Sequence, residues 1–289
     1  MKTFFEKGHH VVERRKCLEW VRVRHPSPRG IVFVLPLIGG DLSQQVSQFR
    51  GLIQAKYDLF SFNYSGHGSS SDKFSLKATI QDTLYMLSHA LGISEQAQLQ
   101  LYGIASCYSA IPLLHSIHSL GEPFKRLVLI NAIPRLSSRA LIKSFFAYYR
   151  RIFPAQNSMR SLRTAFNDYL DFMFPGIVKG KDYFGSLERK RTLMFRTLAE
   201  FFTLNPLKGV RLKTTPVLCL YARNDRILKM YDRQVKDIYE NEIRSLCPQT
   251  SFHPVDIDHF FSLPWARDEA LKSIISFMDV ELQGRRNRA

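Results

Sequence analysis

Residues 99–114 read Leu-Gln-Leu-Tyr-Gly-Ile-Ala-Ser-Cys-Tyr-Ser-Ala-Ile-Pro-Leu-Leu. Its first half is a short apolar segment typical of a buried strand, and its second half has the apolar spacing of an amphipathic helix. Only a tight turn separates them. A strand that turns sharply into a helix with a nucleophilic side chain at the tip is a nucleophile elbow. The pattern therefore predicts a nucleophile at the end of a buried strand.

Side-chain size decides which residue lies at the tip of this turn. The tip residue is strained, and the positions two before and two after it are crowded, so both must be small. If the tip is Cys107, these positions are Ala105 and Ser109. If the tip is one residue earlier, they are Ile104 and a tyrosine, which are too large. We therefore expect Cys107 to be the nucleophile and keep Ser106 as the alternative.

Length and composition define the class of protein. The chain has 289 residues, of which 45% are hydrophobic. This is enough for one domain with a large core, and it excludes an intrinsically disordered protein. No apolar run is long enough to span a membrane, and the first ten residues make a poor signal peptide. Four cysteines without CxxC spacing predict neither a disulfide framework nor a metal site, and favour a reducing cytoplasm.

Strand and helix signals alternate along most of the chain after a predicted hairpin at residues 8–25. Besides the strand of the elbow, buried strands are predicted at 31–35, 57–64, 126–132, 216–221 and 250–255, and helices at 42–56, 76–92, 229–243 and 266–282. This alternation predicts an α/β fold, in which a mostly parallel sheet has helices on both faces.

The alternation breaks at residues 134–213, which we call the lid segment and predict to be a helical insertion over the C-terminal edge of the sheet. It divides the core into residues 1–133 and 214–283, and residues 284–289 are predicted to be a disordered tail. Residues 135–213 carry 16 Arg or Lys against 5 Asp or Glu, an excess of 11 out of the net charge of +16. The positive charge is therefore concentrated in the lid segment.

Aromatic side chains in the lid segment exceed what small packed helices need, and they predict an apolar acyl tunnel with a basic rim. They are Phe145, Phe146, Tyr148, Tyr149, Phe153, Phe172, Phe174, Phe195, Phe201 and Phe202. The positive electrostatic field of the lid segment favours anionic partners, among them an acyl carrier protein, coenzyme A and the surface of an anionic membrane. No nucleic-acid-binding motif accompanies the charge, so we expect no specific nucleic-acid partner.

Two polar loops follow later strands. Asp225 comes directly after the apolar strand at 216–221, and His259 follows the strand at 250–255. Nucleophile, acid and histidine in this chain order, with the last two each on a loop after a strand, form one known arrangement of the catalytic triad. Asp256 and Asp258 are alternatives to Asp225, although both lie close to the histidine in the chain.

The chain resembles the α/β-hydrolases in these motifs. Residues 222–228, Ala-Arg-Asn-Asp-Arg-Ile-Leu, are similar to the acid loop of that family, and residues 258–260, Asp-His-Phe, to its Gly-His-Phe base loop, with aspartate in place of glycine. Residues 63–70 are similar to its Asp-x-Arg-Gly-x-Gly-x-Ser turn, with asparagine and serine at the first and third positions. Residues 35–40 stand where the family has His-Gly-x-Gly-Gly. The resemblance extends over residues 10–280, apart from the lid segment.

The sequence of the elbow resembles particular groups within the α/β-hydrolases. Residues 104–110 are most similar to the elbow of the acyl-carrier-protein thioesterases that accompany bacterial luciferase operons, whose nucleophilic serine aligns with Cys107. A cysteine at this position also resembles dienelactone hydrolases and polyhydroxyalkanoate synthases. The resemblance implies an acyl hydrolase or acyltransferase of lipid metabolism, with a thioester or ester substrate, an acyl-Cys intermediate and no cofactor.

The roles of the candidate residues follow from this chemistry. Cys107 attacks the acyl carbonyl, His259 takes the thiol proton, and Asp225 orients the imidazole. The backbone N–H groups of Tyr108 and Ile38 are expected to form the oxyanion hole.

Three other interpretations are compatible with the sequence. The chain could be a catalytically silent binding protein with a hydrolase fold, or an ordinary esterase that uses Ser106. Its charge would also suit a protein that binds nucleic acid or a membrane surface.

Overall fold

The structure is a computed structural model. It describes residues 3–13, 16–37, 40–134, 162–164, 177–178, 181–182, 196, 199–200, 203–223, 233–257 and 264–286. Most of the lid segment, including all ten aromatic residues of the predicted tunnel, lies outside the described residues. The predicted lid and tunnel are therefore still predictions.

An eight-stranded sheet forms the centre of the fold. The strands of the chain are β1 (Phe4–Glu13), β2 (Lys16–Arg24), β3 (Ile31–Val34), β4 (Asp58–Phe62), β5 (Leu101–Ser106), β6 (Arg126–Ile130), β7 (Ile177–Val178), β8 (Lys181–Asp182), β9 (Val217–Ala222) and β10 (Thr250–Val255). The order across the sheet is β1-β2-β4-β3-β5-β6-β9-β10, and β7 and β8 form a separate pair. β1, β2 and β4 are joined in antiparallel fashion, whereas β4 and the strands beyond it are parallel.

Helices cover both faces of the sheet. They are α1 (Leu42–Gln48), α2 (Arg50–Gln54), α3 (Leu76–Gln96), α4 (Ala110–Ser119), α5 (Arg233–Leu246) and α6 (Pro264–Arg286). The core on one face contains side chains of α3, α4 and α5, and the core on the other contains side chains of α1, α2 and α6. In β3, Ile31 and Phe33 belong to the first core and Val32 and Val34 to the second. Burial on both faces explains the continuous apolar runs in the sequence, and the predicted α/β fold is confirmed.

Three local details differ from the prediction. The helix predicted at 42–56 is interrupted at Phe49, whose backbone (φ −103°, ψ 17°) leaves the helical region and whose side chain is buried in the second core. The lid segment includes the two-residue strands β7 and β8, where no strand was expected. α6 continues to Arg286, so part of the predicted tail is helical; the residues before Gly284 are good helix formers, and helix ends extend or fray easily.

Glu122 connects the end of α4 to the segment that leads into β9. Its carboxylate accepts hydrogen bonds from the backbone N–H groups of Lys213 (2.5 Å), Thr214 (2.9 Å) and Thr215 (2.9 Å), and from both threonine hydroxyls. Burial opposes ionisation of Glu122, but these hydrogen bonds outweigh it and lower its pKa to about 2. The carboxylate thus fixes the point where the chain returns from the lid segment to the core.

This contact predicts a pH dependence of stability. Because the pKa of Glu122 falls from 4.5 to about 2 on folding, its contribution is fully present above pH 4.5 and is lost as the pH falls towards 2. We expect Glu122→Gln to lower the free energy of unfolding at pH 7 by about 1 kcal/mol, since partial exposure weakens the interaction. The loss of stability between pH 5 and 2 should also be smaller in this variant.

Urea unfolding of wild type and variant at several pH values measures both effects. Glu95→Gln, at an exposed position of α3, is the matched control. Equal pH dependence in wild type and Glu122→Gln would contradict the assigned role of this carboxylate.

Candidate active site

The turn after β5 has the geometry of a nucleophile elbow. β5 ends at Ser106, Cys107–Ser109 form one turn of 3-10 helix, and α4 begins at the next residue. Cys107 has a φ of 53°, in the left-handed region that residues other than glycine rarely adopt. Ser106 is extended, with φ −121° and ψ 142°. The strained residue of the turn is therefore Cys107.

The residues that flank the turn are both small and buried. Ala105 is 1% exposed and lies in the core. Ser109 is fully buried, and its hydroxyl donates a hydrogen bond to the backbone carbonyl of Pro36. Pro36 lies in the loop after β3, on which the second oxyanion donor is expected. Sequence reasoning required Ser109 only to be small and missed this contact between the elbow and the loop.

Tyr108 follows the tip of the turn and is anchored by its side chain. Its hydroxyl lies 2.8 Å from Oγ1 of Thr79 and donates to the carbonyl of Leu76 at 3.4 Å. Burial raises the pKa of this phenol, so it stays protonated. The first N–H groups of a helix have no acceptor within the helix. Tyr108 stands at this position, where its N–H can serve an oxyanion.

A residue of the lid segment contacts the same region. The carboxylate of Glu200 accepts a hydrogen bond from the backbone N–H of Leu76 at 2.7 Å, and Arg196 lies 3.8 Å from Glu200. Leu76 is the first residue of α3, and a negative charge at a helix N-terminus is favourable. Since the Tyr108 hydroxyl bonds to the carbonyl of Leu76, the lid segment and the elbow share this turn of α3.

The turn after β4 explains one departure from the family motif. Asn63 accepts a hydrogen bond from the N–H of Leu42 at 2.9 Å and donates to the carboxylate of Glu19 at 2.7 Å. An aspartate at position 63 could not donate and would place two carboxylates in contact. Gly68 has a φ of 54°, and a Cβ there would collide with both Asn63 and Glu19.

His67, in the same turn, is not a second base. It is fully buried between the rings of Tyr64 and Phe74. Burial lowers its pKa to about 4, although the carbonyl of Ser65, 3.2 Å from Nδ1, favours the protonated ring. The imidazole is therefore neutral at pH 7, donates Nδ1–H to Ser65, and helps to pack the turn.

The parallel strands leave the sheet at the edge where Cys107 lies. Through β6, Ser106 at the end of β5 is level with Leu220 of β9 and His253 of β10. β9 and β10 continue two residues further, to Ala222 and Val255. The chain therefore leaves β9 and β10 just beyond the level of the elbow.

The remaining predicted site residues follow these strand ends. Asp225, His259 and the alternative acid Asp258 lie outside the described residues, as does Ile38 in the loop after β3. Asp256 is described: its side chain is 64% exposed and lies 3.3 Å from the guanidinium of Arg223. This surface ion pair makes Asp256 a poor candidate for orienting a histidine inside a site.

Asn131 is a site-forming residue that sequence reasoning missed. It follows β6, is fully buried, and has a φ of 47°. Its side-chain carbonyl accepts the N–H of Ala222 at 2.7 Å, at the end of β9. Two residues later, the N–H of Ile133 donates to the carbonyl of Cys107 at 3.0 Å. The exit of β6 thus connects the elbow to the strand that precedes the predicted acid. An asparagine directly after an apolar strand was the available signal, since asparagine tolerates the left-handed conformation.

The described residues contain neither a metal-ligand cluster nor a membrane-spanning helix. No group of three or more His, Cys, Asp or Glu in the described part of the chain could hold a metal ion. No helix in that part is both long enough and apolar enough to cross a membrane.

Comparison with known proteins identifies the fold. No family model and no curated protein match the sequence. Among solved structures, a lipase in its open form is 14% identical with a TM-score of 0.62, and the match covers 96% of this chain and 98% of the lipase. A soluble variant of the monoglyceride lipase of Saccharomyces cerevisiae is 11% identical, with a TM-score of 0.62 and coverage of 95% and 94%. An esterase of Pyrococcus furiosus is 12% identical, with a TM-score of 0.61 and coverage of 96% and 90%. The chain has the α/β-hydrolase fold of these proteins.

The backbone of the elbow predicts opposite effects of glycine at two adjacent positions. Glycine has no Cβ to clash at positive φ, so Cys107→Gly should be more stable than Cys107→Ala by about 1 kcal/mol. At position 106 the backbone is extended, and Ser106→Gly should be less stable than Ser106→Ala by about 0.5–1 kcal/mol.

Chemical unfolding of the four variants measures these differences, and the comparison with alanine cancels the loss of each native side chain. If alanine were more stable than glycine at position 107, Cys107 would not occupy the strained tip of the turn.

Proposed function

We propose that the protein is an acyl hydrolase or acyltransferase that acts on an acyl thioester or ester through a covalent acyl-Cys107 intermediate. The observation that carries the proposal is the left-handed backbone of Cys107 at the tip of a strand–turn–helix. Strain of this kind persists where the surroundings impose it, and it is concentrated at functional sites. On this fold, the turn presents its tip residue as the nucleophile at the C-terminal edge of the sheet.

The proposed reaction has two steps, acylation of Cys107 and deacylation. The thiolate of Cys107 attacks the acyl carbonyl carbon after His259 has taken the thiol proton, and Asp225 stabilises the imidazolium. The tetrahedral oxyanion accepts hydrogen bonds from the N–H groups of Tyr108 and Ile38, and each donor is worth about 3 kcal/mol. The carbonyl re-forms as the thiol or alcohol leaves with the proton from His259. Water or an acceptor then repeats the sequence on the acyl-cysteine and releases Cys107.

The choice of cysteine favours thioester chemistry. Attack of a thiolate on a thioester exchanges one thioester for another, so the acyl-enzyme forms without a large change in free energy. Attack on an oxygen ester replaces a more stable bond with a less stable one. An acyl-cysteine also reacts more readily with alcohols and amines than a serine ester does, which favours transfer alongside hydrolysis.

The charge of the chain supports an anionic carrier of the acyl group. Residues 135–213 have an excess of 11 positive charges, and such a field attracts the phosphates of coenzyme A or the surface of an acidic carrier protein. The Glu200 contact at α3 joins this basic segment to the helix that anchors Tyr108. We therefore propose that the carrier binds at the lid segment, next to the elbow.

The ends of β9 and β10 support the choice of Asp225 as the acid and His259 as the base. β9 and β10 are parallel to β5 and end two residues beyond the level of Ser106. Asp225 lies three residues after the end of β9, and His259 four residues after the end of β10. The short lengths of these connections support a triad of Cys107, Asp225 and His259.

Intact-mass spectrometry after incubation with a panel of acyl thioesters and p-nitrophenyl esters tests the proposal. We expect an acyl adduct that peptide mapping assigns to Cys107. The adduct should be absent in Cys107→Ala and retained in Ser106→Ala. His259→Ala and Asp225→Asn should slow acylation by about 10²-fold or more, the usual contribution of a general base. Asp256→Asn is the matched control and should acylate at nearly the wild-type rate.

The alternatives predict different results. Labelling that persists in Cys107→Ala and disappears in Ser106→Ala would identify an ordinary serine esterase. Binding of acyl compounds without an adduct or turnover would identify a silent binding protein. Loss of acylation in Asp256→Asn but not in Asp225→Asn would overturn the assignment of the acid.

A further inference from the structure

The two edges of the eight-stranded sheet differ in their protection against pairing with another strand. β10, at one edge, has six residues and includes Pro254, which has no N–H to donate to a neighbouring strand. β1, at the other edge, has ten residues and no proline, and its ladder partner is β2. Edge strands are usually kept short or interrupted by proline or charge, because their backbone groups are a template for pairing. β1 lacks the first two of these protections.

β1 also has an open apolar surface. Phe4, Phe5 and Val11 are 56%, 61% and 70% exposed, and they are three of the six large apolar side chains exposed in the described part of the chain. Side chains alternate along a strand, so Phe5, Lys7, His9 and Val11 share one face. All four are exposed. This face of β1 is therefore open to solvent along its length.

The opposite face of β1 is held against the molecule. A Cβ at Gly8 would lie 2.8 Å from the ring of Trp20, and the ring of His10 stacks on that of His89 at 4.4 Å. These contacts and the ladder to β2 hold residues 4–11 in an extended form, and the register shifts only between Val11 and Glu13, at the end of the strand. β1 is thus a pre-ordered edge, so pairing with another strand would require little further ordering.

The sequence of β1 is self-complementary in one antiparallel register. Two identical antiparallel strands pair about a two-fold axis. The backbone N–H and C=O groups of successive residues point to opposite edges of a strand, and two opposed residues must both point towards each other or both away. The residue numbers of an opposed pair are therefore both odd or both even. With the axis at Gly8, Phe5 faces the partner's Val11 and Lys7 faces the partner's His9. No two carboxylates or lysines are opposed. Moving the axis to Lys7 or His9 removes the apolar pair from the open face.

We propose that two copies of this chain associate along β1, antiparallel and with the two-fold axis at Gly8, so that their sheets become continuous. The pairing forms about eight to ten backbone hydrogen bonds and covers the exposed side chains of Phe5 and Val11. β1 lies four strands away from β5 in the sheet order, so the elbow stays open in the dimer. The proposal does not depend on the proposed enzymatic activity.

Sedimentation equilibrium of the full chain tests the association. We expect a dimer for the wild type and a monomer for Phe5→Lys/Val11→Lys, whose four lysines per dimer oppose one another, with at least about a 100-fold weaker association. Ile238→Lys, which replaces another exposed apolar side chain (52%) on α5, is the matched control and should remain dimeric. Far-UV circular dichroism spectra should be similar in all three proteins, because the association leaves the fold of each chain unchanged. A monomeric wild type, or a Lys variant that dimerises as strongly as wild type, would overturn the proposal.

Disulfide trapping tests the register. Cys17 faces position 11 within the same chain, so the test uses a Cys17→Ser background. Under mild oxidation, Phe5→Cys/Val11→Cys in this background should form a covalent dimer, because each introduced cysteine faces the other across the axis. Phe5→Cys/His9→Cys is the control: its cysteines are offset by two residues, beyond disulfide reach, and it should cross-link no more than wild type. Equal cross-linking of the two variants would contradict the Gly8 axis.

Discussion

Cys107 is held in a left-handed backbone conformation that costs on the order of 1–3 kcal/mol and persists only because its surroundings impose it. The carbonyl of Cys107 accepts a hydrogen bond from Ile133, and the Ser109 hydroxyl fixes the following turn to Pro36. Tyr108, between them, is anchored by its buried hydroxyl on α3. These contacts come from the exits of β3 and β6 and from a neighbouring helix, so the whole C-terminal edge of the sheet determines where the thiol lies.

The loops at this edge are fixed by buried polar contacts rather than by regular structure. Asp82 of α3 accepts the N–H and hydroxyl of Ser65 and forms a 2.7 Å ion pair with Lys16 of β2. Burial raises the pKa of Asp82, while Lys16 and Ser65 favour its charged form. Asn63 joins the same turn to Leu42, which follows the loop expected to carry the second oxyanion donor. The rigid sheet positions the strand ends, and these contacts position the loops between them.

The parts of the molecule that were predictable from sequence are those with a local physical signal. Strands buried on both faces read as continuous apolar runs, and the crowded elbow requires small residues at Ala105 and Ser109, which identified Cys107 as the tip. Contacts between distant residues have no such signal. Glu122 binds residues about ninety positions later in the chain, and the contacts of Asn131 and Glu200 span 91 and 124 positions. The interruption at Phe49 likewise depends on the core into which its ring packs.

Cys107 is proposed to form the acyl bond in a site that residues from later loops complete. A crystal structure of the protein after reaction with a slowly hydrolysed acyl thioester would show which atom carries the acyl group. We expect electron density continuous from Sγ of Cys107 to the acyl carbon, with the carbonyl oxygen within hydrogen-bond distance of the Tyr108 N–H and the imidazole of His259 within reach of Sγ. Density for the acyl group on Ser106, or a thiol that stays unmodified with His259 out of reach, would rule out Cys107 as the nucleophile.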